Sequence, residues 1–159
     1  MKKTVCFFIL IILIVSIIPN AVFASAEASA ESISDVIQKA APTAFGYTDN
    51  TEYYMQYHFT SLSFVDDCCV VVCTESTNFN EFGVFHVKSA SDAKLCEKQL
   101  KRYLKDAKER FQSGVVYDIK EYPKFENAKV TVIGQYVIYT ILDSAQSKDA
   151  IRAVKQILQ

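Results

Sequence analysis

Apolar residues recur every three or four positions in three segments of the chain, a pattern that predicts amphipathic helices. The first segment covers residues 33–41, with Ser32 as a candidate cap. The second predicts a long helix from about Ser91 to Gln112, begun by Ser89 or by Ser91 itself. The third predicts a final helix from about Ser147 to Leu158.

Four other segments are rich in β-branched and aromatic residues, which is typical of strands. Thr51–Phe64 is dominated by aromatic residues, and residues 68–74 read CCVVVCT. Residues 81–88 read EFGVFHVK, and residues 128–142 read AKVTVIGQYVIYTIL. The last segment predicts two strands that turn at Gly134-Gln135.

From residue 68 onward the predicted order is strand, strand, helix, strand, strand, helix. This order predicts an α+β fold, a two-layer sandwich in which an antiparallel sheet of four to five strands carries the helices on one face. The segments VKSASDAKLCEKQLKRYL and LDSAQSKDAIRAVKQIL follow their hairpins at matching places. They suggest a duplicated ββα unit, although helix chemistry common to both also accounts for the similarity.

The beginning of the chain has the three-part pattern of a secretory signal peptide. Lys2 and Lys3 precede an apolar run of 14 residues from Val5 to Ile18. Small residues follow, so that cleavage between Ala24 and Ser25 fits, and Ala24 and Ala26 offer a second site two residues later, before Glu27. The apolar run is shorter than the roughly 20 residues of a membrane-spanning helix, which favours cleavage over a retained anchor.

These observations predict three parts. Residues 1–24 form the signal peptide, and residues 25–32, which carry no large apolar side chain, form a flexible tether. Residues 33–159 form a single domain, large enough to bury a core. The location that follows is outside the cytoplasm, either extracellular or associated with the cell surface.

Charge changes the expectation about partners. The chain has 17 basic and 18 acidic residues, and removal of residues 1–24 takes away two lysines, leaving 15 − 18 = −3. This balance gives no reason to expect nucleic acid as a partner.

Five lysines nevertheless follow one flank of the long helix: Lys94, Lys98, Lys101, Lys105 and Lys108. The flank is a candidate surface for an anionic polymer or for lipid headgroups, and the alternative is a solvated helix face, since acidic residues lie among the lysines.

Three cysteines lie within six residues in DDCCVVVCTES. Because side chains alternate between the two faces of a strand, Cys69 and Cys73 share one face and Cys68 points to the other. Four residues along a strand span roughly 13 Å, whereas a disulfide needs Cα atoms within about 7 Å. We therefore expect buried packing thiols, while a disulfide between Cys96 of the long helix and one strand cysteine stays open.

Motifs that carry catalysis are sparse. The sequence contains no nucleophile elbow, zinc-protease motif, P-loop or dinucleotide glycine motif, and its cysteines lack paired C-x-x-C spacing. His58 is expected in the aromatic strand and His86 on a half-exposed strand face. No catalytic residue, cofactor or metal is predicted.

The favoured hypothesis is a non-enzymatic domain that binds an envelope or extracellular component. The alternative is a thiol- or metal-dependent activity of Cys68, Cys69 or Cys73 with a histidine.

Several motifs in the second half of the chain resemble an exported bacterial family known as domain of unknown function 4358. They are the strand motif at Glu81–Phe85, the long charged helix, the strand start at Asn127–Val130 and the hairpin at Gly134–Val137. The resemblance implies a shared fold and a bacterial source, commonly a Gram-positive anaerobe, and it implies no reaction. Many relatives are lipoproteins, whereas this chain has no cysteine at the predicted cleavage point.

Overall fold

A computed structural model describes residues 28–114 and 118–158. The elements are α1 (Ala30–Ala40), β1 (Tyr47–Asp49), α2 (Thr51–Tyr57), β2 (Val65–Cys73), β3 (Glu81–Val87), α3 (Ala90–Ser113), a 3-10 turn (Ile119–Glu121), α4 (Tyr122–Glu126), β4 (Lys129–Ile133), β5 (Tyr136–Ile141) and α5 (Ser144–Leu158). The predicted signal peptide, its cleavage point at Ala24-Ser25 and residues 25–27 of the tether lie outside the described residues.

The five strands form one antiparallel sheet in the order β1-β2-β3-β5-β4. The predicted α+β class and the antiparallel sheet are therefore confirmed. The hairpin of β4 and β5 turns at Gly134-Gln135 as predicted. Gly134 has a φ of 58°, the left-handed backbone conformation that a two-residue turn requires and that glycine adopts without a steric penalty.

Helices cover both faces of the sheet, which corrects the prediction of two layers with helices on one face. On one face α3 packs on the sheet, and Leu100 and Val137 are fully buried there. On the other face α1 and α5 pack together, and Ile33 and Ile138 are fully buried. The physical reason is that the central strands are apolar on both sides. All six residues of β5 are buried, so the strand needs a cover on each face.

The same arrangement corrects the idea of a duplicated unit. The predicted order of strands and long helices from β2 to α5 is confirmed, with the 3-10 turn and the short α4 added between α3 and β4. A twofold axis that exchanges two adjacent antiparallel hairpins stands perpendicular to the sheet, so it leaves both following helices on the same face. Because α3 and α5 lie on opposite faces, the two halves are not related by such an axis.

Further boundaries differ from the sequence predictions, and α5 begins at Ser144 rather than at about Ser147. The segment predicted as the strand Thr51–Phe64 contains α2 and a turn, because helical spacing lets Tyr54 be buried while its neighbours face solvent. The first helix begins at the buried Ala30, with Ser29 rather than Ser32 as its cap. Residues 30–32 of the predicted tether are therefore helical.

Candidate functional site: a tyrosine cleft and a lysine groove

A carboxylate held by three phenols is the main polar cluster on the α3 face of the sheet. Oε1 of Glu81 accepts hydrogen bonds from Tyr103 at 2.6 Å and from Tyr139 at 2.7 Å. Oε2 accepts one from Tyr54 at 2.7 Å. The four residues come from β3, α3, β5 and α2, so only the folded chain brings them together.

Strand register and a missing side chain position this cluster. Tyr139 lies opposite Gly83 in the pairing of β3 with β5. A Cβ atom on Gly83 would overlap the ring of Tyr139 and approach that of Phe85. Glycine at this position therefore lets the Tyr139 ring lie across β3 and bring its hydroxyl to Glu81.

The cluster changes the proton affinities of its members. Burial raises the pKa of Glu81, while the hydrogen bonds from the three tyrosines oppose that rise. The pKa values of Tyr54, Tyr103 and Tyr139 are raised above 10, first by burial and then by the neighbouring carboxyl group. The phenols therefore keep their protons and act as donors to Glu81.

Glu81 lines a cavity of about 300 Å³, here called the tyrosine cleft. Its walls also include Tyr53, Tyr54, His58, Phe79, Tyr103 and Arg110. The guanidinium carbon of Arg110 lies 5.8 Å from the centroid of the Tyr103 ring, a cation–π distance. Partial burial, followed by the charge of Arg110, lowers the pKa of His58, so this imidazole is neutral at pH 7.

The lysine flank predicted from the sequence lies on the exposed side of α3. Three of its members, Lys101, Lys105 and Lys108, line a second cavity of about 450 Å³ together with Lys129 of β4. We call this cavity the lysine groove. Leu104, Phe125, Ala128, Val130 and Glu126 complete its lining. The other two predicted members, Lys94 and Lys98, are exposed on α3 outside this lining.

Charge is unevenly distributed along the chain. Helix α3 contains seven basic and four acidic residues, a net charge of 7 − 4 = +3. The full chain has a net charge of −1, so the remainder carries −1 − 3 = −4. The lysine flank thus belongs to a basic helix on an otherwise acidic protein.

The strand cysteines divide between the faces as their alternation predicts. Cys69 belongs to the core under α1 and α5, whereas Cys68 packs against the core under α3. The fully buried Cys96 lies in the same core under α3. All four cysteines of the described residues are free thiols. Burial raises the pKa of Cys68 to about 11 and that of Cys96 to about 12, and it also raises the pKa of Cys69.

Both histidines differ from their sequence predictions. His58 follows α2 and lies at the tyrosine cleft, because the predicted strand is a helix. His86 is 9% exposed rather than half-exposed, and its ring centroid is 4.8 Å from that of Tyr136.

In the ranges that the structure describes, no group of three or more His, Cys, Asp and Glu side chains could hold a metal ion. No helix in those ranges has both the length and the hydrophobicity for a membrane span.

Sequence analysis identified the lysine flank but not the tyrosine cleft. The lysines share one helix, so their spacing alone shows that they are neighbours. Glu81, Arg110 and the three tyrosines come from four elements. The sequence offered two signals of the cleft. Glu81 is an acidic residue at the start of a mainly apolar strand, and Tyr103 lies on the apolar side of α3.

The fold and these cavities define a class: an α+β domain whose five-stranded antiparallel sheet is covered on both faces. The chain belongs to the family described as Domain of unknown function (DUF4358), whose model matches residues 47–142. The resemblance seen in the sequence is thereby confirmed for the family. The matched range runs from β1 to just beyond β5 and contains the lysine groove and the tyrosine cleft. Searches of curated proteins and of solved structures found no match.

Proposed function

We propose that this protein is an exported, non-enzymatic binding domain whose lysine groove takes an extended anionic polymer of the cell envelope. The observation that carries the proposal is that four lysines from two elements line one groove. Lys101, Lys105 and Lys108 come from α3, and Lys129 comes from the facing strand β4. An extended polyanion in this groove would meet cations on both sides.

The shape of this surface favours a polymer over a membrane. A bilayer presents a broad surface, whereas the lysine groove is a furrow between a helix and an edge strand of the sheet. Its apolar lining suits the carbon backbone of a polymer, and the lysines suit its phosphate or carboxylate groups. Lysine binds phosphate as a point charge, which does not demand one fixed geometry.

The ion pairs that these lysines make are easily exchanged. Lys101 lies 2.7 Å from Glu97, Lys105 lies 3.8 Å from Glu109, and Lys108 lies 3.8 Å from Glu126. The side chains of Lys101 and Lys105 are well exposed in these pairs. Exposed pairs of this kind contribute about 0.2–1 kcal/mol, so a polyanion can replace the carboxylates at little cost.

The thiol-dependent alternative has weaker support. A catalytic cysteine needs a thiolate, and therefore a lowered pKa and partial exposure. Burial instead raises the pKa values of Cys68, Cys69 and Cys96. The electrostatic features of the described residues thus favour binding through the lysine groove.

The test uses residues 25–159 and a fluorescent long-chain polyphosphate as the probe. The groove variant is Lys101→Gln/Lys105→Gln/Lys129→Gln. The control is Lys39→Gln/Lys148→Gln/Lys155→Gln, which removes the same charge from exposed lysines of α1 and α5 on the opposite face. We expect the groove variant to lose about tenfold in affinity, as three contacts of about 0.5 kcal/mol each imply, and the control to lose much less.

Two outcomes would overturn the proposal. Equal losses in the groove variant and the control would mean that only total charge matters. Tighter binding to anionic lipid vesicles than to polyphosphate at equal charge concentration would replace the polymer with a membrane. Binding that weakens as salt rises is expected, since exposed charges are screened.

A further inference from the structure

We infer that the tyrosine cleft binds a small zwitterion, an α-amino acid, with its ammonium group at Glu81 and its carboxylate at Arg110. This site adjoins the lysine groove through the shared wall residue Phe125, but the two cavities have no charged residue in common. The cleft has an acidic end at Glu81, a basic end at Arg110 and aromatic walls.

The acidic end of the cleft has one acceptor position left. A carboxylate oxygen accepts two hydrogen bonds. Oε1 of Glu81 already accepts two, from Tyr103 and Tyr139. Oε2 accepts one from Tyr54 within the described residues. Glu81 lines the cavity, so an ammonium group that enters the cleft can approach the open position of Oε2.

The basic end of the cleft is a guanidinium that has no carboxylate partner among residues 28–114 and 118–158. Arg110 is exposed on α3 and forms no ion pair with another described side chain. It lies over the ring of Tyr103 instead. A guanidinium has a planar set of donors that matches a carboxylate bidentately, which makes Arg110 suited to the carboxylate of a ligand.

Tyr103 keeps the two charges apart. Its hydroxyl donates to Glu81, while its ring faces the guanidinium of Arg110. The acid and the base are therefore separated by about one aromatic ring and do not neutralise each other through a direct ion pair. A ligand that carries only an ammonium group would be repelled by Arg110, and one that carries only a carboxylate would be repelled by Glu81. A zwitterion satisfies both.

The walls set the remaining chemistry of the ligand. Phe79, Phe111 and Phe125 line the cavity and offer aromatic surface to an apolar side chain. The neutral His58 adds no charge to the balance between Glu81 and Arg110. A volume of about 300 Å³ is at the small end of ligand pockets, which fits a single amino acid better than a longer peptide.

The test begins with a thermal-shift screen of the twenty common amino acids against residues 25–159. Isothermal titration then compares the best amino acid with its decarboxylated amine and its N-acetyl derivative. We expect both analogues to bind at least about tenfold more weakly, since each loses one charged contact. In Arg110→Gln the amine should bind as well as the amino acid. In Glu81→Gln the N-acetyl derivative should bind as well as the amino acid. Arg152→Gln, an exposed arginine of α5, should keep the preference of the native protein.

The result that would overturn the inference is a screen in which none of the twenty amino acids raises the Tm. An amine that binds as tightly as its parent amino acid would also overturn it, because the cleft would then be a cation site only. If Glu81→Gln lowers the Tm strongly, Arg110→Gln becomes the deciding variant. Because Arg110 is exposed, this substitution should change the ligand preference and leave folding intact. Polyphosphate binding by Arg110→Gln measures the lysine groove independently.

Discussion

Tyr139 donates a hydrogen bond to Oε1 of Glu81 over 2.7 Å, although the two residues are 58 positions apart in the sequence. The contact depends on the pairing of β3 with β5, which sets Glu81 opposite Ile141 and Gly83 opposite Tyr139. Glu81 and Tyr139 therefore lie diagonally on the same face of adjacent strands, within reach of a long side chain. The polar centre of the tyrosine cleft is thus a product of strand register.

Removal of this hydroxyl should destabilise the fold. Tyr139→Phe keeps the ring and leaves the Glu81 carboxylate with one donor fewer in a buried environment. We expect the free energy of unfolding, measured in urea, to fall by about 1–3 kcal/mol. Tyr57→Phe, at an exposed position of α2, should change it by less than about 0.5 kcal/mol. Equal effects of the two substitutions would show that the hydroxyl contributes nothing.

Gly83→Ala should disturb the same contact from the opposite strand. The added methyl group overlaps the Tyr139 ring, which has no free space because Tyr139 is fully buried. Overpacking of this kind costs about 1–3 kcal/mol. In a Tyr139→Ala background the same change should cost markedly less, because the overlap is gone. Additive losses in this double-mutant cycle would contradict the assigned overlap.

Glu81 should make stability depend on pH. Its neighbours are Tyr54, Tyr103, Tyr139, His58 and Arg110, and its pKa is raised above 4.5 in the folded state. Between 4.5 and that raised value the folded state holds a proton that the unfolded state releases. The free energy of unfolding should therefore fall as pH rises through this window. Glu81→Gln should lack this component, so the stability difference between native protein and variant should shrink or reverse with rising pH. A difference that grows with pH would mean that the folded pKa is lowered.

The cysteines should react slowly in the native state. The protein from residue 25 should show four free thiols after denaturation without reductant, and few before it, because burial keeps the thiols protonated. Cys68 should be labelled first, since it is the most exposed of the four. Fewer than four thiols would reveal a disulfide, with Cys96 and Cys68 the pair that shares a face of the sheet.

Export should leave a new N-terminus near Ser25 or Glu27. The lysines at positions 2 and 3, the short apolar run and the small residues before Ser25 motivate this expectation. Intact-mass measurement of protein purified from its native host is the direct check. A retained Met1 would contradict cleavage and favour an anchored protein.

The sequence by itself determined the features that depend on neighbours along the chain. Helix α3 was predicted within a residue of each end, because its apolar spacing continues from Ala93 to Phe111 and Ser89 provides a cap. The hairpin at Gly134-Gln135 followed from local turn chemistry. The lysine flank was visible because one helix contains all five lysines.

Tertiary structure decided what depends on distant partners. Period-two apolarity marks a strand but does not tell which helix covers each face, so α1 and α5 were placed wrongly on the face of α3. The aromatic segment at Thr51–Tyr57 has strand-like composition, yet burial of Tyr54 beside Glu81 selects a helix there. The tyrosine cleft forms only because α2, α3 and β5 each bring a tyrosine to Glu81 of β3. Hydrogen bonds and burial between residues far apart in sequence set that convergence, and no local pattern encodes them.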